Sequence, residues 1–344
     1  MKIISAIRTA VMKRKNLYDA RKIFQDTMLT HSTREEKLRV LKTHLGIIAF
    51  ECFSYCNRKC WFCGNAKIDR HSFCHYLPEE TFLRVCDTLA EIDYSGNVSW
   101  ACYNEPLAKT EVALERIRQA RERLPNAFFF LFTNSDFLTK ELMYELDMAG
   151  INFLAPQCYY ALGEPYDLEK NVKPSVENML KKLGISPWRT EERWDFHSLG
   201  RLYIMPTERK MLVYTMCSNF DAIGLNRGDT TDAFNIFQNR MEPCSMPLYR
   251  LHINYTGLVM PCCEFRCDAE INKHHAIGDA NIQSIEDIFC CEKAVRFRND
   301  VMRYGTKPSP CNHCGGGLEV DFTKVSCLNA YTHFFHLQEA ARRG

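Results

Sequence analysis

LGIIAFECFSYCNRKCWFC (residues 45–63) opens on a short apolar run and closes on three thiols, Cys56, Cys60 and Cys63, within eight residues. The run reads as a buried strand, and the thiols as a loop leaving its C-terminal end. Outward from it, strands and helices alternate. A helical pattern with proline at its start covers 78–92, and apolar runs at 97–103, 127–134 and 151–157 read as strands. Helices are expected at 111–124, 137–150 and 169–183, the second ending at Gly150, a residue suited to a C-cap. Further strands are expected near 199–207 and 211–217, with a long loop over 187–198. Five or six such units predict an α/β fold with a largely parallel sheet, whose chemistry gathers at the C-terminal strand ends.

After residue 230 the alternation stops. A β-hairpin is expected over 248–265 around Tyr-Thr-Gly, then helix over 285–303 and a cysteine pair at 311–314. The expected organisation is an N-terminal helical extension (1–43), a core domain (44–234) and a small C-terminal α+β domain (235–344). The extension holds eleven Lys and Arg against four Asp and Glu. Its simplest reading is a solvated segment packed on the core, with an anionic surface as the alternative.

The whole chain of 344 residues is nearly neutral, with 44 basic and 42 acidic side chains, which gives no electrostatic case for nucleic acid. No apolar run approaches the roughly 20 residues that span a bilayer, and no secretory signal opens the chain, so a cytoplasmic protein is expected. Eighteen cysteines in a chain of this size, two pairs of them adjacent, point to metal or cluster ligation rather than to disulfides. Three thiolates can hold a [4Fe–4S] cluster and leave one iron open for another molecule. Zinc also takes thiolates, but wants four ligands, commonly as two separated pairs.

The C-x3-C-x2-C pattern after a first strand, with an aromatic before the last cysteine, resembles the radical S-adenosylmethionine superfamily. That resemblance implies a partial (β/α)6 TIM-like barrel and makes Cys56, Cys60 and Cys63 the cluster ligands. It implies that S-adenosylmethionine takes the open iron and yields a 5′-deoxyadenosyl radical, which abstracts hydrogen from carbon. Phe62 matches the residue that packs near the adenine. Tyr-Asn-Glu-Pro-Leu (103–107) stands where the family has a Gly-Gly-Glu-Pro-like segment, so Glu105 would be the charged partner of the ligand's ammonium, with Asn104, in the place of the usual glycine, beside it at the cofactor site. Phe-Thr-Asn-Ser (132–135) stands where Thr-Asn-Gly is frequent, so Thr133 and Asn134 would line the site, with Ser135 in the place of glycine. Arg227, in Asn-Arg-Gly, would hold a carboxylate of ligand or substrate.

Cys244, Cys262, Cys311 and Cys314 resemble the shortened, twitch form of the SPASM auxiliary extension, which implies a second, fully ligated [4Fe–4S] cluster. A four-cysteine zinc site is the alternative. Cys263, Cys267 and Cys327 are near enough in sequence to replace a ligand. The shortened form resembles that of a dehydrogenase acting on an aminocyclitol alcohol. The implied function is a radical oxidation or bond formation on a small molecule: a sugar, an aminocyclitol or another natural-product intermediate. A one-electron reductant such as flavodoxin or ferredoxin would feed it. The rivals are a ribosomal-peptide maturase, for which 44 residues before the first strand are few, and a non-catalytic iron–sulfur electron carrier.

Overall fold

In the computed structural model, which describes residues 22–186, 189–193, 198–223, 225–231 and 239–314, the run that opens the cysteine loop forms β1 (Ile47–Phe50). The other strands are β2 (Asn97–Ser99), β3 (Phe128–Thr133), β4 (Phe153–Cys158), β5 (Arg189–Arg193), β6 (Ser198–Ile204), β7 (Leu212–Ser218), β8 (Arg250–Ile253), β9 (Leu258–Met260) and β10 (Gly278–Asp279). One-turn helices aside, the helices are α1 (Arg34–His44), α2 (Glu79–Glu91), α3 (Thr110–Arg123), α4 (Lys140–Ala149), α5 (Lys173–Leu183), α6 (Ile285–Cys290) and α7 (Glu292–Met302).

The ten strands among the described residues form one sheet in the order β10-β9-β8-β1-β2-β3-β4-β7-β6-β5. The six from β8 to β7 run parallel, and the outer pairs at both edges are antiparallel. This is the expected α/β architecture, with two differences in how the strands are supplied. First, the strand at Ser198–Ile204 returns antiparallel to β7, because the seven residues between them are too few for a crossover helix. Part of the expected 187–198 loop is β5, paired with β6. Second, the sixth parallel strand is β8, which lies beyond the boundary expected near residue 235 and pairs with β1.

The parallel strands are buried on both faces, and their side chains alternate between two cores. Ile48, Phe50, Val98, Phe129, Leu131 and Leu154 pack with helix residues such as Leu89, Ile117, Leu146 and Leu180. Their neighbours Ile47, Phe128, Phe130 and Phe153 pack on the other face with Phe24, Leu212 and Tyr249. Period-two alternation with apolar residues at both phases is what produces near-continuous apolar runs. Gly150 closes α4 at φ 118°, as its C-cap reading requires.

The helix expected over 285–303 is broken at Cys291, whose sulfur accepts from the Ala294 N–H and so caps α7. In the N-terminal extension, residues 1–21 lie outside the described residues. Its described part is docked through α1, where Thr33 and Glu36 form a capping box. Arg34 pairs with Glu91 and Glu286, and Lys37 with Asp287, so part of the basic excess is matched by acids of α2 and α6.

Candidate active site

Beyond Phe50 the chain leaves the sheet as a loop that carries the three thiols. The C-terminal ends of β2, β3 and β4 deliver their own loops beside it. One cavity results. Cys56, Cys60 and Cys63 line it, and so do Phe62, Asn104, Glu105, Thr133, Asn134 and Arg227, the whole set read from the sequence. Burial pushes the Cys56 thiol up to about 11 and Cys60 to about 12, and each charged sulfur would raise the others further. Holding three thiolates there requires a cation centre.

Glu105 is 2% exposed, and its carboxylate is tied to two loops at once. Its Oε1 accepts from the Leu107 N–H (3.0 Å) and the Thr133 hydroxyl (2.7 Å), and its Oε2 accepts from the Asn134 N–H (2.7 Å). A carboxylate offers about four lone-pair sites, so one acceptor position on Oε2 remains. Burial raises the Glu105 pKa against these hydrogen bonds, which lower it. An ammonium beside it would stabilise the charged form. The Nδ2 of Asn104 is buried without a partner, a donor left over at the cavity wall.

The remaining expected residues hold the frame. Thr133 accepts from the Ser135 N–H (3.0 Å), and Ser135 sits at φ 68°, the left-handed backbone that makes glycine frequent at this place. Asn134 donates to Asn57 of the cysteine loop (2.8 Å), and Arg58 of the same loop grips Asp136 (2.7 Å through Nε). Phe62 stacks on Phe220, with centroids 3.7 Å apart and planes within 2°. Sequence reading did not single out Arg58, Asp136 or Phe220. They act through pairings between loops, which spacing along the chain does not reveal.

Cys244, Cys262, Cys311 and Cys314 line a second cavity. Burial raises the Cys311 thiol as well. Cys263 and Cys267 do not line it: the Cys263 sulfur faces Arg250 Nη1 (3.8 Å) and Glu264 Oε1 (3.9 Å), and Cys267 packs with Met260 and Phe265. Cys327 lies outside the described residues. Among the described residues, no three His, Cys, Asp or Glu side chains converge closely enough to share one metal ion. Two cysteine-walled cavities suit cubanes, in which each thiolate takes its own iron, better than single zinc ions. Between the cavities stands an ion pair that sequence reading half missed. Arg227, at φ 51°, donates to Glu264 Oε1 at 3.1 Å. Arg227 lines the first cavity and Glu264 the second. No helix among the described residues is long and apolar enough to cross a membrane.

Comparison with known proteins agrees with this layout. The radical SAM superfamily model matches residues 50–157, and the SPASM iron–sulfur cluster-binding domain model matches residues 244–315. The S-adenosyl-L-methionine-dependent 2-deoxy-scyllo-inosamine dehydrogenase of Niallia circulans is 23% identical over 270 residues, covering 78% of this chain and 92% of its own. The solved structure of BtrN in complex with AdoMet and 2-DOIA superposes with a TM-score of 0.55 at 21% identity, over 76% of this chain and 88% of that one. The two models meet the chain where the two sets of cysteines lie. Residues 50–157 are thus a radical SAM domain and residues 244–315 a SPASM iron–sulfur cluster-binding domain, which makes the protein a radical SAM enzyme that binds S-adenosylmethionine and iron–sulfur clusters.

Proposed function

We propose that the enzyme oxidises an alcohol on a small polyhydroxylated molecule, such as a sugar or aminocyclitol, and passes one electron to a single auxiliary [4Fe–4S] cluster. The observation that carries this reading is the Arg227–Glu264 ion pair, which joins the wall of the first cavity to that of the second. The similarity to a dehydrogenase acting on such a molecule supports it.

In this reading Cys56, Cys60 and Cys63 ligate the first cluster, and Cys244, Cys262, Cys311 and Cys314 the second. When bound, the first cluster and S-adenosylmethionine supply a 5′-deoxyadenosyl radical that takes a hydrogen atom from carbon. Glu105 receives the ligand's ammonium at its remaining acceptor position, Asn104 offers its unpartnered N–H, and Phe62 packs against the adenine. Thr133 and Asn134 hold Glu105 in place. Arg227 orients the substrate hydroxyl with its donor fork. Glu264 holds Arg227 from the wall of the second cavity, and the hydroxyl proton passes to water. Loss of one hydrogen atom, one proton and one electron converts the carbinol to a carbonyl, a net two-electron oxidation. The electron leaves toward the four-cysteine cavity, and an external reductant such as flavodoxin or ferredoxin serves the first cluster.

The test is anaerobic reconstitution with dithionite, S-adenosylmethionine, and sugars or aminocyclitols deuterated at the carbinol carbon. Deuterium in 5′-deoxyadenosine with matching carbonyl product is the expected result, absent in a Cys60→Ala control. Deuterium transfer from a peptide, and from none of these alcohols, replaces the reading with peptide maturation. An iron-replete protein that never cleaves S-adenosylmethionine is an electron carrier.

A further inference from the structure

We propose that Tyr103 is a positioning residue for S-adenosylmethionine: it fastens the loop that carries Glu105 to the segment following Cys262, and so sets where the Glu105 carboxylate stands. The inference rests on the ammonium role proposed for Glu105.

Tyr103 is 4% exposed, lines the first cavity, and is held at each of its polar atoms. Its N–H donates to Glu51 Oε1, one residue past β1, at 2.8 Å. Its carbonyl accepts from the Asn65 amide of the cysteine loop at 2.9 Å. Its hydroxyl donates to the Glu264 carbonyl at 3.0 Å. Arg266 lies over its ring, 4.4 Å from the centroid, and also donates to Asn65 Oδ1 at 2.7 Å. A guanidinium has donors and no acceptor, so that bond takes the amide oxygen and leaves the NH2 for Tyr103. The preceding residue adds a parallel tie, since the Cys102 thiol donates to the Cys263 carbonyl at 3.4 Å. Two consecutive side chains of the Glu105 loop thus meet two consecutive carbonyls after Cys262.

The anchors are themselves fixed. Glu51 is fully buried and faces Arg70 at 3.4 Å. Arg266 is fully buried and bidentate on Asp268 (2.9 and 2.8 Å), which Arg70 holds as well at 2.6 Å.

Glu105 follows Tyr103 by two residues, and its own N–H donates to the Tyr55 carbonyl at 3.0 Å. The carboxylate bonds tie it forward to Leu107 and across to the end of β3. Tyr103 supplies the tie to the C-terminal segment. A charge-assisted hydrogen bond is short and directional, so a carboxylate displaced from its place loses much of its hold on an ammonium.

Anaerobic equilibrium dialysis of S-adenosylmethionine against iron-replete protein tests this in Tyr103→Phe, Glu105→Gln and the double variant. Tyr103→Phe deletes one hydroxyl and keeps the ring. It is expected to weaken binding about fivefold in the wild-type background and less than about twofold in the Glu105→Gln background, since the two side chains act as one unit. Tyr103→Leu, which removes ring and hydroxyl together, should show the same dependence on background with a larger loss. A role confined to general support of the fold would weaken binding by equal factors in both backgrounds. Equal factors therefore overturn the inference, and so does unchanged affinity in both Tyr103 variants. A Glu105→Gln variant that binds as tightly as wild type removes the ammonium role itself, a distinct outcome.

Discussion

Glu105 illustrates what a single side chain contributes. Three donors from two loops fix its carboxylate, and one acceptor position is left on a side chain that lines the cavity. Glu105→Gln removes the charge and turns an NH2 toward donors that need an acceptor. Hydrogen bonds to charged groups contribute about 1.5–3 kcal/mol, so affinity for S-adenosylmethionine should fall about 10- to 100-fold. Thr133→Val removes one neutral donor and should cost about 5-fold. Anaerobic equilibrium dialysis with iron-replete protein measures both, and unchanged affinity in Glu105→Gln would remove the ammonium role. Glu105 was legible because Glu-Pro at a strand end is a local pattern. Asn65 was not, because its orientation depends on an arginine 201 residues away.

At the level of elements, the apolar runs around Cys56 read true because strands buried on both faces leave an unmistakable stretch of sequence. The β5–β7 meander was less legible. A run such as Leu199–Ile204 does not encode its direction, and only the short connection to Leu212 does. The break at Cys291 was invisible to helical periodicity, since it follows from a thiol acting as a cap.

α1 carries a prediction of its own. His44 near its end is 4% exposed, packs on Phe24, and has no partner for either ring nitrogen. Burial pushes its imidazole down to about 4 from 6.5. A depressed pKa means that the unfolded chain takes up the proton first. The stability His44 provides is therefore complete above about pH 6.5 and is lost progressively as pH falls toward 4. Between pH 7.5 and 5.5 the loss amounts to about 1 kcal/mol. Denaturant unfolding at both pH values should show that much less pH dependence in His44→Leu than in the wild type. Equal pH dependence in the two proteins would contradict the assignment.

Across the whole molecule, the one sheet joins what the sequence divides. β8 follows Cys244 and lies beside β1, which leads to Cys56, so both cysteine sets are anchored to neighbouring strands. Buried charges reinforce the seam: Arg70 reaches Glu51 and Asp268, and Arg227 reaches Glu264. In the proposed reading the two centres exchange an electron, and their tasks should still separate. Cys311→Ser disturbs the second cavity, which shares no lining residue with the first. Reductive cleavage of S-adenosylmethionine should persist within a few-fold of wild type, while conversion of alcohol to carbonyl should fall by two orders of magnitude or more. The two rates must be read together with iron content and circular dichroism, because lost iron can loosen the Cys311–Cys314 turn. A folded variant that loses cleavage and turnover in the same proportion would show that the second cavity serves the first as scaffold rather than as its electron acceptor.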